Sequence, residues 1–117
     1  MPWQVVFHQA FEAEYAELAL EVQDALVAAA GLLQHQGPLL GRPHADTLEG
    51  SAHANMKELR FTAAGGVWRV AFAFDPTRKA IVLVAGDKAG LAQKRFYKTL
   101  IAKADSRFAD HLDTLKG

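Results

Sequence analysis

Between Met56 and Lys98 the sequence sets nine basic residues against three acids, and the types and places of these cations decide what chemistry is open to the chain. Lys57, Arg60, Arg69, Arg78, Lys79, Lys88, Lys94, Arg95 and Lys98 are opposed only by Glu58, Asp75 and Asp87. Arginine is the more telling cation, because its planar fork pairs with phosphate through two parallel hydrogen bonds and never loses its charge. Arg69 lies in an alternating run where Val67, Ala71 and Ala73 share its face. Small neighbours there would leave a shallow groove floor open to a ligand. Lys88 closes the next apolar run and could add a second positive charge. Together these residues point to a face that binds a polyanion. The plainer alternatives are a salt-bridged arginine on an exposed sheet and scattered solvated charges, since segregation in sequence need not survive folding.

Other polar residues carry weaker signals. Glu58 and Arg60 stand two positions apart and share a strand face, so an ion pair between strands accounts for them as well as a catalytic role does. Lys57 alternates to the face of Leu59 and Phe61, which suits a strand end with its charge reaching water. The histidines show no repeated ligand spacing with carboxylates, so no metal site is expected. His53, just before an apolar run, is kept as an outside candidate for acid-base work. There is no cysteine, which removes disulfides, thiolate zinc sites and cysteine nucleophiles together.

These residues must be positioned by a fold, and the apolar pattern describes it. Trp3 to Phe7 reads as an N-terminal strand. Phe11, Tyr15, Leu18, Val22, Leu26 and Leu33 then recur at helical spacing, and Gly37-Pro38 ends the segment. Residues 37 to 55 are rich in glycine, proline and turn formers and read as a connecting loop. Three strands are expected at Met56 to Thr62, Val67 to Asp75 and Ala80 to Gly86, with turns at Ala64-Gly65-Gly66 and Asp75-Pro76-Thr77. In the middle strand Trp68, Val70, Phe72 and Phe74 form a bulky face that should pack on helices. A C-terminal helix follows with Phe96, Leu100, Ala104, Phe108, Leu112 and Leu115 on one stripe. The order gives an α+β fold with helices mainly on one side of an antiparallel sheet.

The 117 residues fit one domain, residues 1 to 117, and 50% hydrophobic with 22% charged content predicts a folded core. No secretory leader or membrane-length apolar segment is apparent, so a cytoplasmic protein with no membrane attachment is expected. The zero net charge is divided along the chain. Up to Asn55, Arg42 alone opposes Glu12, Glu14, Glu17, Glu21, Asp24, Asp46 and Glu49, so a segment of net charge −6 precedes one of +6.

Four motifs in order, Met56-Lys57-Glu58-Leu59-Arg60, Trp68-Arg69-Val70-Ala71-Phe72, Ala85-Gly86-Asp87-Lys88 and Lys94-Arg95-Phe96-Tyr97, resemble the phage-derived, HigB-like branch of the RelE/ParE toxins. The Gly-Arg-Pro loop at 41 to 43 also falls where that family has one. The resemblance implies a microbial-ribonuclease-like, RelE-like fold with a helical hairpin that breaks near Ala19. It implies a toxin of a type II toxin-antitoxin pair that cleaves messenger RNA on the ribosome without a cofactor, held inactive by a cognate helix-turn-helix, DNA-binding antitoxin. On the same basis Arg69 is the catalytic arginine, Lys88 the basic residue after the third strand and Tyr97 the aromatic hydroxyl, while the general base is Glu58 or Lys57. Lys57, Arg60, Lys94 and Arg95 would supply charge for RNA binding. A gyrase inhibitor of the ParE type and an inactive binding module on the same fold remain alternatives.

Overall fold

The computed structural model describes residues 2–116. Strand β1 (Gln4–Phe7) is followed by helices α1 (Gln9–Ala16) and α2 (Leu20–Gln36), a single 3-10 turn (Gly37–Leu39) and the short strand β2 (Ala45–Thr47). Strands β3 (Lys57–Ala63), β4 (Gly66–Phe74) and β5 (Lys79–Asp87) form the meander, and α3 (Gln93–Lys116) closes the chain. The five strands make one sheet in the order β1-β5-β4-β3-β2.

Three expectations need correction. The sheet is mixed rather than antiparallel, because β1 runs parallel to β5 while the other neighbours are antiparallel. That placement lets β1 turn Val5 and Phe7 toward the helical hairpin and Val6 toward α3. The loop at 37 to 55 contains β2, whose three residues are too few for periodicity to register. Most importantly, helices cover both faces of the sheet. Val70 and Phe72 pack with Phe11, Leu26 and Leu33 of the hairpin, whereas Ala71 and Ala73 pack beneath Phe96, Leu100, Ala104 and Phe108 of α3. The small residues of β4 therefore make room for a helix, and only the Arg69 end of that face is left for a ligand.

The helical hairpin does break at Ala19, which is extended at φ −57°, ψ 146° and caps α2. The end of α1 is closed by the Glu17 amide on the Glu14 carbonyl and the Leu18 amide on the Tyr15 carbonyl, both at 3.1 Å, and the Gln23 side chain adds a further donor to the Tyr15 carbonyl at 2.8 Å. At the other end of α1, His8 Nδ1 accepts the Ala10 amide at 3.1 Å. The β3–β4 hairpin turns on Ala64 and Gly65, both at positive φ (51° and 77°), as a two-residue turn matched to strand twist requires.

A bulge in β5 allows both faces to be filled. Ala71 pairs with Val84 and Phe72 with Val82, so Leu83 is extra, and Leu83 and Val84 both point toward α3. The bulge carbonyl of Leu83 accepts from Arg107 Nη1 at 2.8 Å, and Arg107 also makes a two-pronged pair with Glu14 at 2.6 and 2.7 Å. One guanidinium thus ties α3, α1 and the bulge together. Glu14 is held below the usual carboxylate range, first by its hydrogen bond from Arg107.

The two partners should not be equivalent. Arg107→Ala strands a buried carbonyl and is expected to cost about 1–3 kcal/mol. Glu14→Ala, at a side chain 41% exposed, should cost under about 1 kcal/mol because solvent screens its charge. Urea unfolding of both variants measures the difference, and equal losses would mean that the bulge carbonyl does not depend on Arg107.

Candidate active site

β2, β3 and β4 carry four charged residues on the α3 face. Asp46 stands opposite Glu58 across β2 and β3, and Arg60 stands opposite Arg69 across β3 and β4. Like charges facing one another are unfavourable, so each cross-strand pair must be compensated from the side. Arg60 approaches Asp46 at 3.8 Å rather than pairing with Glu58, and Asp46 is also bonded to Arg42 at 2.7 Å. Glu58 and Arg69 are buried, at 5% and 6% exposure, and are joined through Tyr97 of α3. The Tyr97 hydroxyl donates to Glu58 Oε1 at 2.8 Å and accepts from Arg69 Nε at 3.2 Å, with Glu58 and Arg69 themselves 3.9 Å apart. Arg69 Nη1 donates to the Trp68 carbonyl at 2.9 Å, which fixes the plane of the fork.

The sequence brings Tyr97 to this point by means of a glycine. Gly86 lies opposite Arg69 on β5, and a Cβ there would come within 2.8 Å of the Phe96 ring. Without a side chain at Gly86, Phe96 seats directly on the strand and the next residue, Tyr97, reaches over the end of β4. Lys88 is fixed by the turn that follows β5. Its amide donates to the Val67 carbonyl at 2.8 Å, and the Asp87 carboxylate accepts the amides of Val67 and Ala89 at 2.9 Å each. The Lys88 ammonium lies 5.9 Å from the centre of the Tyr97 ring.

Burial pushes the Glu58 carboxyl above its usual range, although Tyr97, Arg69 and Arg60 each oppose the shift. Tyr97 is raised by burial and by Glu58, so it stays protonated at neutral pH and acts as a donor. Lys88 is lowered by burial and by the neighbouring Arg69 and Arg60, which makes its proton easier to give up. A carboxyl moved up and an ammonium moved down bring a candidate base and acid closer to neutrality.

Glu58, Arg60, Lys88, Lys94 and Tyr97 line one open cleft of about 590 Å³; Arg69 does not line it but is bonded to Tyr97 at its wall, and itself lines an adjoining pocket of about 380 Å³ that shares Arg42 and Arg60 with the cleft. Two other expected residues do not join them. Arg95 lines a separate groove of about 250 Å³ beside α3. Lys57 pairs with Phe72 across β3 and β4 on the opposite face of the sheet, where it lines a further pocket. His53 packs its ring edge-on against Phe108 at 5.0 Å and does not line the cleft. The cleft also contains Arg42, Asp46 and Gln93, to which no role was assigned from sequence. Arg42 lies in the Gly-Arg-Pro loop, so a position was visible there although a contact was not.

The model of the Phage derived protein Gp49-like family (DUF891) matches residues 13–109. Among curated proteins the chain is similar to two candidate toxins of Mycobacterium tuberculosis (strain ATCC 25618 / H37Rv). It is 47% identical to HigB2 over 93 residues, covering 79% of this chain and 46% of HigB2, so it spans about half the length of that relative. It is 46% identical to HigB3 over 98 residues, covering 81% of this chain and 83% of HigB3. Among solved structures it resembles a variant of the E. coli toxin RelE in the free state, with a TM-score of 0.62 at 13% identity, over 88% of this chain and 97% of that one. The RelE likeness carries the fold, and the family model and HigB3 carry the kinship: the chain belongs to the phage-derived Gp49-like family, among the HigB-like toxins built on a RelE-type fold.

Proposed function

We propose that this protein is the growth-arresting partner of a type II toxin-antitoxin pair and that it cuts messenger RNA on the ribosome in the cleft between β3 and the start of α3. The observation that carries this reading is the Glu58–Tyr97–Arg69 network, with Lys88 beside it, at the wall of an open cleft lined by four cations and three carboxylates. RNA holds its own nucleophile, so the protein needs a base for the 2′-hydroxyl, fixed positive charge for the pentavalent phosphate and an acid for the departing 5′-oxygen. Ionised Glu58 takes the 2′-hydroxyl proton. Arg69 offers the phosphate a guanidinium already aligned by Trp68 and Tyr97, and Lys88 returns a proton to the 5′-oxygen. Tyr97 keeps the base and the arginine in register. Lys94 and Arg60 hold flanking phosphates. A cognate helix-turn-helix antitoxin is the expected partner, and the cytoplasm is the expected place of action. In keeping with this, no helix among the described residues is long and apolar enough to cross a membrane.

Induced expression should halt growth, and Arg69→Lys should relieve the arrest while the protein stays folded, because an ammonium keeps the charge but not the fork. Growth curves with melting curves of the purified variant test this. A folded, fully toxic Arg69→Lys protein would remove Arg69 from the reaction, and arrest without any cut message would favour gyrase poisoning.

Glu58→Gln separates chemistry from stability. Cleavage should fall by about 10²- to 10⁴-fold, the range for a lost general base. Stability should lose its dependence on this group's titration, while the buried Arg69, left without a charged partner, carries a cost. With its folded pKa raised above the unfolded value near 4.3, Glu58 contributes most below the unfolded value, and that contribution is lost as pH rises through the folded one. The glutamine protein should lack that loss in a series of urea melts against pH. Activity at the wild-type level would transfer the base to another group.

Because side-chain cations supply the charge in this mechanism, the catalytic step should need no divalent metal and cleavage should leave a 2′,3′-cyclic phosphate. Mapping and chemical typing of the ends checks this, and ends with 5′-phosphate and 3′-hydroxyl would contradict it.

A further inference from the structure

On the opposite face of the sheet from the cleft, Lys57 at the start of β3 and Arg78 in the β4–β5 turn border a pocket of about 370 Å³ with Trp3, Asn55 and Phe74. None of the steps above uses it. Trp3 is held between two neighbours. Its indole lies so close to Gly37, at φ +57°, that a Cβ there would overlap the ring, and the Arg78 guanidinium sits 4.9 Å from the ring centre. Phe74 meets Trp3 edge-on at 5.1 Å.

Two features separate this arrangement from an ordinary surface turn. Arg78 is at φ +67°, a conformation that glycine or asparagine would adopt with less strain. The turn that imposes it is also firmly anchored. The Asp75 side chain is fully buried and accepts from the Thr77 amide and hydroxyl, from the Lys79 amide and from His111 at 2.8–3.0 Å. Its charge is turned inward, and among the described residues Lys57, Arg78 and Lys79 form no ion pair with any acid. The outcome is an exposed guanidinium plane backed by an indole, with Lys57 as a further cation outside any ion pair among the described residues, and Asn55 within the same pocket.

We infer that this pocket is a second RNA site, in which a splayed base stacks on the Arg78–Trp3 layer while Lys57 holds an adjoining phosphate. Arginine planes and aromatic rings are the usual platforms for unpaired bases, and the side-chain amide can meet a base edge. The site rests on the reading that the toxin works on RNA, and it gives the molecule a grip on the face away from the cut. An acidic peptide would use the lysine but has no need of the flat stacked layer.

The test uses the full-length protein and a short labelled single-stranded RNA with methylated 2′-hydroxyls, followed by fluorescence anisotropy over a salt series. Arg78→Gly relieves the positive-φ strain, so its melting temperature should hold or rise. Its affinity for the RNA should nevertheless fall by about 5- to 50-fold, the range for loss of a stacking platform. Lys57→Ala should weaken binding and lower the salt slope by about 1, one phosphate contact. Unchanged affinity and slope in both variants would overturn the site. So would a polyglutamate peptide whose binding depends on Arg78 and Lys57 while RNA binding does not. RNA binding that depends on Arg78 in a protein that cuts no message would sink the nuclease reading and support this site. Normal cutting with no dependence on Arg78 or Lys57 would sink the site alone.

Discussion

A glutamate and an arginine are buried side by side on the neighbouring strands β3 and β4, and each depends on the other and on Tyr97. An isolated buried charge costs several kcal/mol, and breaking a buried pair by removing one member leaves that cost uncompensated. Tyr97 lies between Glu58 and Arg69, giving a proton to one and accepting one from the other. Tyr97 in turn is placed by α3, α3 by the seat that Gly86 leaves for Phe96, and that seat by the register of β4 against β5. The functional residues are therefore the end of a chain of packing constraints that begins in the core.

The same logic explains why the sheet has two unequal faces. One accepts bulky residues of β4 against the helical hairpin, and the other uses alanines so that α3 can come close. On the α3 stripe, buried Phe96, Leu100 and Phe108 each contribute roughly 1.5–3 kcal/mol when transferred from water, and Ala104 less. That is enough to fix the helix axis but not its rotation or its end. The bulge at Leu83 adds the second apolar contact, and Arg107 closes the carbonyl that the bulge exposes. Precision at Tyr97 is supplied by polar contacts made by α3, and bulk stability by its apolar stripe.

The elements with strong periodicity were legible in the sequence. The meander and the N-terminal strand fall within a residue or two of their expected limits, and α3 (Gln93–Lys116) carries the expected apolar stripe. The break at Ala19 followed from family resemblance, since no glycine or proline marks it locally. Alternation correctly placed Arg69 with Ala71 and Ala73, but small size could mean an open floor or a helix seat, and composition cannot choose between them. Glu58 and Arg60 share a face as their spacing requires, yet their partners are Tyr97 and Asp46, set by tertiary contacts. For Arg95 charge was legible and direction was not, whereas alternation already put Lys57 on the face of Leu59 and Phe61, away from the cleft.

Charge segregation along the chain also takes on a different meaning in three dimensions. The acids of α1 and α2 lie on the hairpin, but the cleft is not simply basic. Arg42, Arg60, Lys88 and Lys94 share it with Asp46, Glu49 and Glu58. A nearly balanced cleft attracts a polyanion weakly at long range, because opposite charges a few ångströms apart cancel beyond about one Debye length. What it offers instead is local. Asp46 holds Arg42 and Arg60 in place until a phosphate takes them over, and Glu58 is kept near a guanidinium that lowers the barrier to its ionisation. In the proposed mechanism Lys88 and Lys94 are the cleft's cations outside any ion pair among the described residues, and further capture of the nucleic acid falls to cations beyond it, Arg95 beside α3 and Lys57 and Arg78 behind the sheet. On that reading binding is shared between surfaces, so the cleft can keep the carboxylates its chemistry needs.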